Sequence, residues 1–195
     1  EEAEMMPLRD IFSKMGSLGF LGLEYEPEFG GQGGDHLFTV ILAEEFGRCD
    51  HGSLPMALGV QVDMATPSLA MYGTAEQKEK YLKPALQGTN VCSIAVSEPD
   101  AGSDVAGIRT RAIRDGDQWV INGSKMWITN SLQADWLCLR ARTSDDGGYS
   151  GMSQIIVPTE TEGFSVSKKL DKLGMRASDT GLLSFDDCRD SLMRI

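Results

Sequence analysis

Histidine is nearly absent from this chain: His36 and His51 are the only two in 195 residues. Two histidines do not make a three-histidine zinc site, and neither lies near a G-x-S-x-G elbow. Both read as surface or capping residues. The four cysteines, Cys49, Cys92, Cys138 and Cys188, stand far apart and include no C-x-x-C pair. Neither zinc nor a redox dithiol is signalled, and reduced thiols in an intracellular compartment are the simple reading. No run is long and apolar enough to span a bilayer. Basic residues are scarce, 18 Lys+Arg against 29 Asp+Glu, for a net charge of −11. Residues 1–90 hold 6 basic against 14 acidic side chains and residues 91–195 hold 12 against 15. With no basic patch, nucleic-acid binding is disfavoured. An anionic ligand would need local cations or N–H groups rather than a global field. Glu1 to Glu4 is acidic, unlike a signal or transit peptide. Internal repeats and low-complexity tracts are also missing.

What is present is an ordinary apolar fraction, 41%, in a length that permits one large or two small domains with real cores. Residues 1–90 read as helical. Leu8, Ile11, Phe12 and Met15 form a helical stripe that Gly16 and Gly19 close. Glu28 to Gly34 is a loop with four glycines in a G-G-x-G-G pattern. No strand precedes it, so a dinucleotide-binding turn is a weak reading. Asp35 caps a helix carrying Leu37, Val40, Ile41 and Phe46, with Glu44 and Glu45 on its wet side. Gly52 to Tyr72 is apolar, with Asp63 its only ionised residue, and predicts a helix buried on most sides and bent near Pro67. Its small residues and methionines, Met56 to Met71, either line an acyl cavity or simply fill helix–helix contacts. Thr74 to Gln77 is a capping box opening a helix that Gly88 ends.

Residues 91–195 read as β-rich. Val91 to Val96, Gln118 to Ile121, Lys125 to Thr129, Trp136 to Ala141, Ser153 to Val157, Phe164 to Lys168 and Leu182 to Phe185 are the strand candidates. Asn122-Gly123 is the strongest short hairpin signal. The expected architecture is α+β. An all-helical N-terminal domain, residues 1–89, precedes a small antiparallel β-barrel or sandwich, residues 90–195.

Two polar knots follow β-like runs. The first is Ser97-Glu98-Pro99-Asp100-Ala101-Gly102-Ser103-Asp104. Its Pro, Gly, Asp and Ser suit a turn that aims N–H groups and hydroxyls at an anion or a polar ring edge. A plain surface turn is the commoner explanation of such a string. The second is Lys125-Met126-Trp127-Ile128-Thr129-Asn130. Trp127 and Thr129 stand two apart, on one face of a strand, where an indole and a hydroxyl suit a flat heterocycle. A core Trp beside a Thr is, taken alone, commoner again.

Together the knots, S-E-P-D-A-G-S-D and then N-G-x-K-x-W-I-T-N, closely resemble the acyl-CoA dehydrogenase family of flavoproteins. Three further stretches resemble the same family in order. They are the P-E-x-x-G-G-x-G loop at Pro27 to Gly34, the F-G-T-x-E-Q-K-x-x-Y-L helix start at Tyr72 to Leu82, and the K-x-G-x-R-x-S-D-T segment at Lys172 to Thr180.

The resemblance implies FAD as cofactor and oxidation of an acyl-CoA thioester to the trans-2-enoyl product. Val96 and Ser97 match positions bonded to the pyrimidine end of the flavin, and Ser97 keeps the hydroxyl of the threonine found in many relatives. Gly102 and Ser103 match the loop near the FAD pyrophosphate, Ser103 also lying near the thioester ligand. Trp127, Ile128 and Thr129 match the segment beside the isoalloxazine. The family's third part, a C-terminal helical bundle with the catalytic glutamate, is expected to be missing, so no catalytic residue is named in this chain. After Cys188-Arg189 the family continues with Val-Pro, where this chain reads Asp190 to Ile195. The acidic residues present read as solvated faces. The isolated chain is expected to bind FAD weakly or not at all and to be inactive. Expected partners of the full-length enzyme are acyl-CoA, an electron-transferring flavoprotein and further copies in a homodimer or homotetramer. The expected compartment is bacterial cytoplasm or mitochondrial matrix. Two alternatives stay open: a non-catalytic module that holds acyl-CoA or a partner chain, and an acyl-CoA oxidase or flavin monooxygenase on the same scaffold.

Overall fold

The computed structural model describes residues 5–190 and Ile195. The acidic start Glu1 to Glu4 and the Ser191 to Arg194 part of the tail lie outside the described residues. Helices occupy the first half. They are α1 (Leu8–Ser17), α2 (His36–Gly47), α3 (Ser53–Gly59), α4 (Pro67–Tyr72), α5 (Ala75–Gln77) and α6 (Lys83–Leu86). Wider π turns, Val60–Ala65 and Lys78–Leu82, join α3 to α4 and α5 to α6. The expected bend falls at Thr66-Pro67, with Pro67 opening α4, where its missing N–H costs nothing. The Thr74–Gln77 capping box is formed in both directions.

Leu8 and Phe12 of α1 are fully buried, as their stripe predicts. The helix is held against the chain ahead of the sheet by a close backbone approach. Gly88 has φ +74°, and a Cβ there would sit 1.9 Å from the Phe12 carbonyl oxygen. Only glycine accepts both constraints at once.

The apolar face of α2 departs from expectation. Asp35 caps it through the Leu37 N–H, but no residue of the helix is buried, and Leu37, Val40 and Ile41 are exposed along with Phe38. Phe46 packs against the core near Ala57 and Leu58, while the Leu37, Val40 and Ile41 part of the stripe stays exposed. Met56, Met64, Met71 and Tyr72 are likewise exposed, so Gly52 to Tyr72 is buried on one side rather than on most.

Among the described residues seven strands follow: β1 (Cys92–Ala95), β2 (Arg111–Asp115), β3 (Gln118–Thr129), β4 (Trp136–Arg142), β5 (Met152–Pro158), β6 (Phe164–Lys169) and β7 (Thr180–Asp190). They form one sheet in the order β1-β4-β2-β3-β7-β6, with β5 on the other edge of β4. The α+β layout is the expected one. The sheet itself is mixed rather than wholly antiparallel, because β1 and β2 both run parallel to β4.

The Asn122-Gly123 hairpin is not formed. β3 runs straight through it, and the tight turn lies earlier, at Gly116 and Asp117 between β2 and β3. At Asn122 the partner strand β7 carries an extra residue. The Asn122 side chain stitches that bulge, donating to the Asp187 carboxylate and accepting from the Asp187 N–H, both at 2.9 Å. Gly123 has φ +147° and lies against Thr110, which leaves no room for a Cβ. The dipeptide is thus used for a bulge and a close approach, not for a turn.

One layer of core lies within the sheet, and a second joins the sheet to the helices. Ile121, Ile128, Leu137, Leu139, Ile155 and Leu183 pack within the sheet. Trp136, Cys92 and Ile156 pack against Leu69, Tyr81 and Leu86 of the helices. Trp136 is fully buried, with Tyr81 edge-on at 5.9 Å. A buried ring of this size contributes about 3 kcal/mol by area alone. Gln61, also fully buried, donates to the carbonyls of Ala85 and Asn90 and accepts from the Cys92 N–H at 2.7 Å. None of the four cysteines forms a disulfide, and only Cys49 is exposed.

Candidate functional site

The site is built where the end of β1 meets the end of β3. Buried Ser93 donates its hydroxyl to the Thr129 carbonyl. Just past the end of β1, the Met126 N–H donates to the Ser97 carbonyl at 2.8 Å. These bonds set the two polar knots side by side.

A bulge decides how β3 presents its residues there. Lys125 pairs with Leu183 and Ile128 with Gly181, so β3 carries one residue more than β7. The surplus is taken up at Trp127, with φ 65°. For a bulky L-residue that conformation costs about 1 kcal/mol. It turns Lys125 and Ile128 both inward and leaves Trp127 56% exposed. Thr129, on the other side of Ile128, is half-buried. The Ile128 side chain belongs to the sheet core, so only its backbone is available to a ligand. A strained and largely exposed indole beside a hydroxyl is not explained by packing.

The first knot is a tight turn closed by two bonds between Glu98 and Ala101. Val96 and Ser97 are half-buried at its entry. Gly102 and Ser103 are exposed on its far side, and a Cβ on Gly102 would meet nothing within 4 Å. The loop therefore offers an open backbone face. Asp100 and Arg109 pair across it at 3.6 Å, both exposed, a contact of little energetic weight.

The reading of the acids as solvated faces is wrong for two of them. Glu98 is 8% exposed and lies under the first knot. Its carboxylate accepts from the N–H groups of Arg109 and Thr110, at 2.6 and 2.9 Å, and from the Lys125 ammonium at 2.8 Å. Lys125, with no exposed surface, also donates to the Val96 carbonyl at 2.8 Å. Burial works to raise the Glu98 pKa, but the bonds from Lys125, Thr110 and Arg109 together outweigh it, and the carboxyl titrates below its ordinary range. Burial lowers the Lys125 pKa, against the pull of Glu98.

Asp179 is the second buried acid, 1% exposed, in the Lys172 to Thr180 motif. It accepts from the Leu132 N–H at 2.9 Å and the Gln133 amide at 2.8 Å, and its carbonyl accepts from the Asn130 N–H. Burial raises its pKa. Lys172 donates to the Ser178 carbonyl and the Thr180 hydroxyl, both at 2.7 Å. The third motif is thus tied to the end of the second knot. Sequence reasoning missed Lys125, Glu98, Asn130 and Asp179 as organisers. The one available signal was a charge in the middle of a strand, at Lys125.

The helical half contains a cavity of about 910 Å³. Pro55, Gly59, Val62, Asp63, Pro67 and Met71, all from the Gly52 to Tyr72 stretch, form one wall. Burial, then Glu24, raises the Asp63 pKa. The Tyr25 hydroxyl, bonded to the Val62 carbonyl and Thr66, is pushed upward by burial. The other side of the same helical stretch carries Gln61, bonded to β1, and Ala57, bonded to Asn130. One helical wall therefore joins the cavity to β1 and to the second knot.

The arrangement fits a flat, polar-edged cofactor: an exposed indole, a neighbouring hydroxyl, an open glycine backbone and a peptide edge at Val96–Ser97. Residues 1–89 match the family model described as "Acyl-CoA dehydrogenase, N-terminal domain", and residues 93–188 match "Acyl-CoA dehydrogenase, middle domain". A probable acyl-CoA dehydrogenase of Bacillus subtilis is 39% identical over 179 residues, 91% of this chain and 47% of the relative. A probable acyl-CoA dehydrogenase of Mycobacterium abscessus superposes with a TM-score of 0.90 at 38% identity, over 96% of this chain and 49% of that one. Glutaryl-CoA dehydrogenase of Mycobacterium smegmatis, solved in complex with FADH2, superposes at 0.88 with 34% identity, over 96% and 47%. The chain spans about half the length of the curated relatives it matches.

Proposed function

Because the chain belongs to the acyl-CoA dehydrogenase family, we propose that its residues 1–89 and 90–195 are two domains of an FAD-dependent enzyme. The enzyme oxidises an acyl-CoA thioester to its trans-2-enoyl product. The observation that carries this reading is the junction of the two knots, where Trp127 stands exposed beside Thr129 and the Val96–Ser97 peptide.

In this reading the Val96–Ser97 backbone and the Ser97 hydroxyl bond the pyrimidine end of the flavin. Trp127 covers its ring system, and Thr129 reaches its central edge together with the Ile128 backbone. Gly102 and Ser103 face the pyrophosphate, Ser103 also lying near the thioester. Bound FAD supplies a two-electron acceptor for the β-hydrogen. The protein's part is to hold the thioester so that its α-proton lies within reach of a carboxylate, with donors on the carbonyl oxygen to stabilise the developing negative charge. Neither Glu98 nor Asp100 suits the base: Glu98 is committed to Lys125, and Asp100 faces Arg109 in solvent. The base is assigned to the part of the protein matching the other half of the relatives. The exposed Leu37, Phe38, Val40 and Ile41 of α2 support burial against further protein, in the same subunit or in a homodimer or homotetramer. The acyl group is assigned to the cavity walled by Pro55 to Met71. Electron-transferring flavoprotein is the proposed acceptor, and bacterial cytoplasm or mitochondrial matrix the proposed compartment. No helix among the described residues is long and apolar enough to cross a membrane.

The test is anaerobic mixing of the FAD-loaded protein, including the part to which the base is assigned, with acyl-CoA thioesters of graded length. The expected result is loss of the yellow flavin colour with formation of enoyl-CoA. A protein that takes up no FAD, or whose flavin no acyl-CoA bleaches, overturns the reading. Rapid reoxidation with peroxide release, rather than by electron-transferring flavoprotein or ferrocenium, would assign an oxidase instead.

A further inference from the structure

Lys125 and Glu98 form the one ion pair with both side chains buried among the described salt bridges, 2.8 Å apart and 0% and 7% exposed. A buried pair is a poor source of net stability, since taking both charges out of water costs as much as their attraction returns. Here both partners have further bonds, and those bonds converge on the site. Glu98 fixes the N–H groups of Arg109 and Thr110. Lys125 spends a second hydrogen on the Val96 carbonyl.

That carbonyl belongs to the same planar peptide as the Ser97 N–H. No peptide in the described chain is cis, so the N–H leaves the far side of the group, opposite the bound oxygen. An ammonium on the oxygen draws electrons from the peptide and strengthens its N–H as a donor, an effect that grows where the surroundings are dry. We propose that Lys125, anchored by Glu98, is a positioning residue that polarises the Val96–Ser97 peptide toward the bound flavin and thereby raises the flavin's reduction potential. The inference rests on the reading that this peptide bonds the pyrimidine end of FAD. Electron density on that end increases on reduction. A stronger donor there therefore stabilises the reduced cofactor more than the oxidised one. Glu98 holds Lys125 charged and aimed, and the Met126 N–H on the Ser97 carbonyl locks the following peptide.

The experiment compares bound-flavin reduction potentials in the FAD-loaded protein by spectroelectrochemistry. The double variant Glu98→Gln/Lys125→Met removes both charges without orphaning either. It is expected to retain FAD but to hold the reduced form about tenfold less tightly relative to the oxidised, a potential lowered by about 30 mV for a two-electron couple. Glu98→Gln alone withdraws the charge that keeps the buried Lys125 ionised and aimed, and its potential is expected to fall in the same direction as that of the double variant. A purely structural pair would weaken both flavin forms alike and leave the potential unmoved in both variants, which overturns the proposal. A readout without substitution uses protein labelled with 15N at serine. The Ser97 amide proton is expected to move downfield when the flavin is reduced, and a stationary signal overturns the proposal as well. Unmodified protein that loads no FAD removes the functional reading, and this inference with it. A loaded protein with an unmoved potential removes this inference alone.

Discussion

The Asn130 side-chain amide donates to the Ala57 carbonyl at 2.8 Å, and through that bond the helical half grips the end of β3. Asn130 is fully buried and has φ 66°, a conformation asparagine tolerates better than most residues. Asn130→Ala removes the bond and leaves a methyl group in a left-handed conformation. The expected loss is about 2–4 kcal/mol, from an unsatisfied carbonyl and backbone strain together. Asn130→Gly keeps the conformation free of strain and is expected to lose about 1–2 kcal/mol less than alanine. Urea unfolding midpoints of the two variants check the order. Equal losses would mean that the backbone conformation carries no strain.

Gly88 and Phe12 make the second seam. A Cβ at Gly88 would lie 1.9 Å from the Phe12 carbonyl oxygen and 2.9 Å from the Ser13 nitrogen, on a residue with φ +74°. Gly88→Ala must therefore push α1 away from the chain that leads into β1. The expected cost is about 3 kcal/mol, combining overpacking with left-handed strain. Hydrogen exchange in Leu8–Ser17 should accelerate ahead of that in the sheet. Unchanged exchange in α1 would show that the seam yields elsewhere.

How much of this was legible in the sequence depended on which physical rule each residue obeys. Trp136 to Leu139 is an apolar run, and its burial follows directly from that. The Thr74–Gln77 box and the Asp35 cap are local, and both form as read. β2 was missed because its residues, R-A-I-R-D, bury only Ala112 and carry no clear alternation. Asn122-Gly123 was misread because its partner is Asp187, distant in sequence, and no local rule sees a bulge made by another strand. The stripe on α2 was visible but its exposure was not, since the stripe states only that a face wants cover. Motif resemblance located both knots. It was silent on the clamp beneath them, because a lysine with no exposed surface contradicts the ordinary expectation for its type.

Acid titration should separate the two buried carboxylates. Glu98 has a folded-state pKa below its ordinary value. The stability it contributes is therefore complete above the unfolded carboxyl pKa and is lost as pH falls through the lower, folded one. Asp179 has a raised pKa. Its contribution is present at low pH and is lost as pH rises from the unfolded value through the folded one. Glu98→Gln should lower stability at neutral pH and flatten its decline in acid. Asp179→Asn should flatten the opposite trend, in the window just above the ordinary aspartate range. Melting temperature against pH for the two variants reads both slopes. Slopes that change in the same direction would contradict these assignments.

Gly102 and Trp127 allow the cofactor reading to be tested apart from folding. A methyl group on Gly102 meets nothing within 4 Å, so Gly102→Ala has no steric cost in the chain itself. It should leave stability unchanged or raise it by about 0.5 kcal/mol, through reduced freedom of the unfolded chain. Trp127 is 56% exposed, so Trp127→Ala should also change stability by no more than about 1 kcal/mol. Both substitutions nonetheless alter the surface on which a flavin would lie. Gly102→Ala narrows the approach of a pyrophosphate to the backbone, and Trp127→Ala removes an aromatic contact worth about 1 kcal/mol. The expected result for each is an FAD dissociation constant raised about fivefold or more at an unchanged melting temperature. Indole fluorescence quenched on adding FAD to the unmodified protein, with the quenching reduced in Trp127→Ala, ties the effect to that ring. If both variants bind FAD as the parent does, the exposed indole and the open glycine serve something other than the flavin.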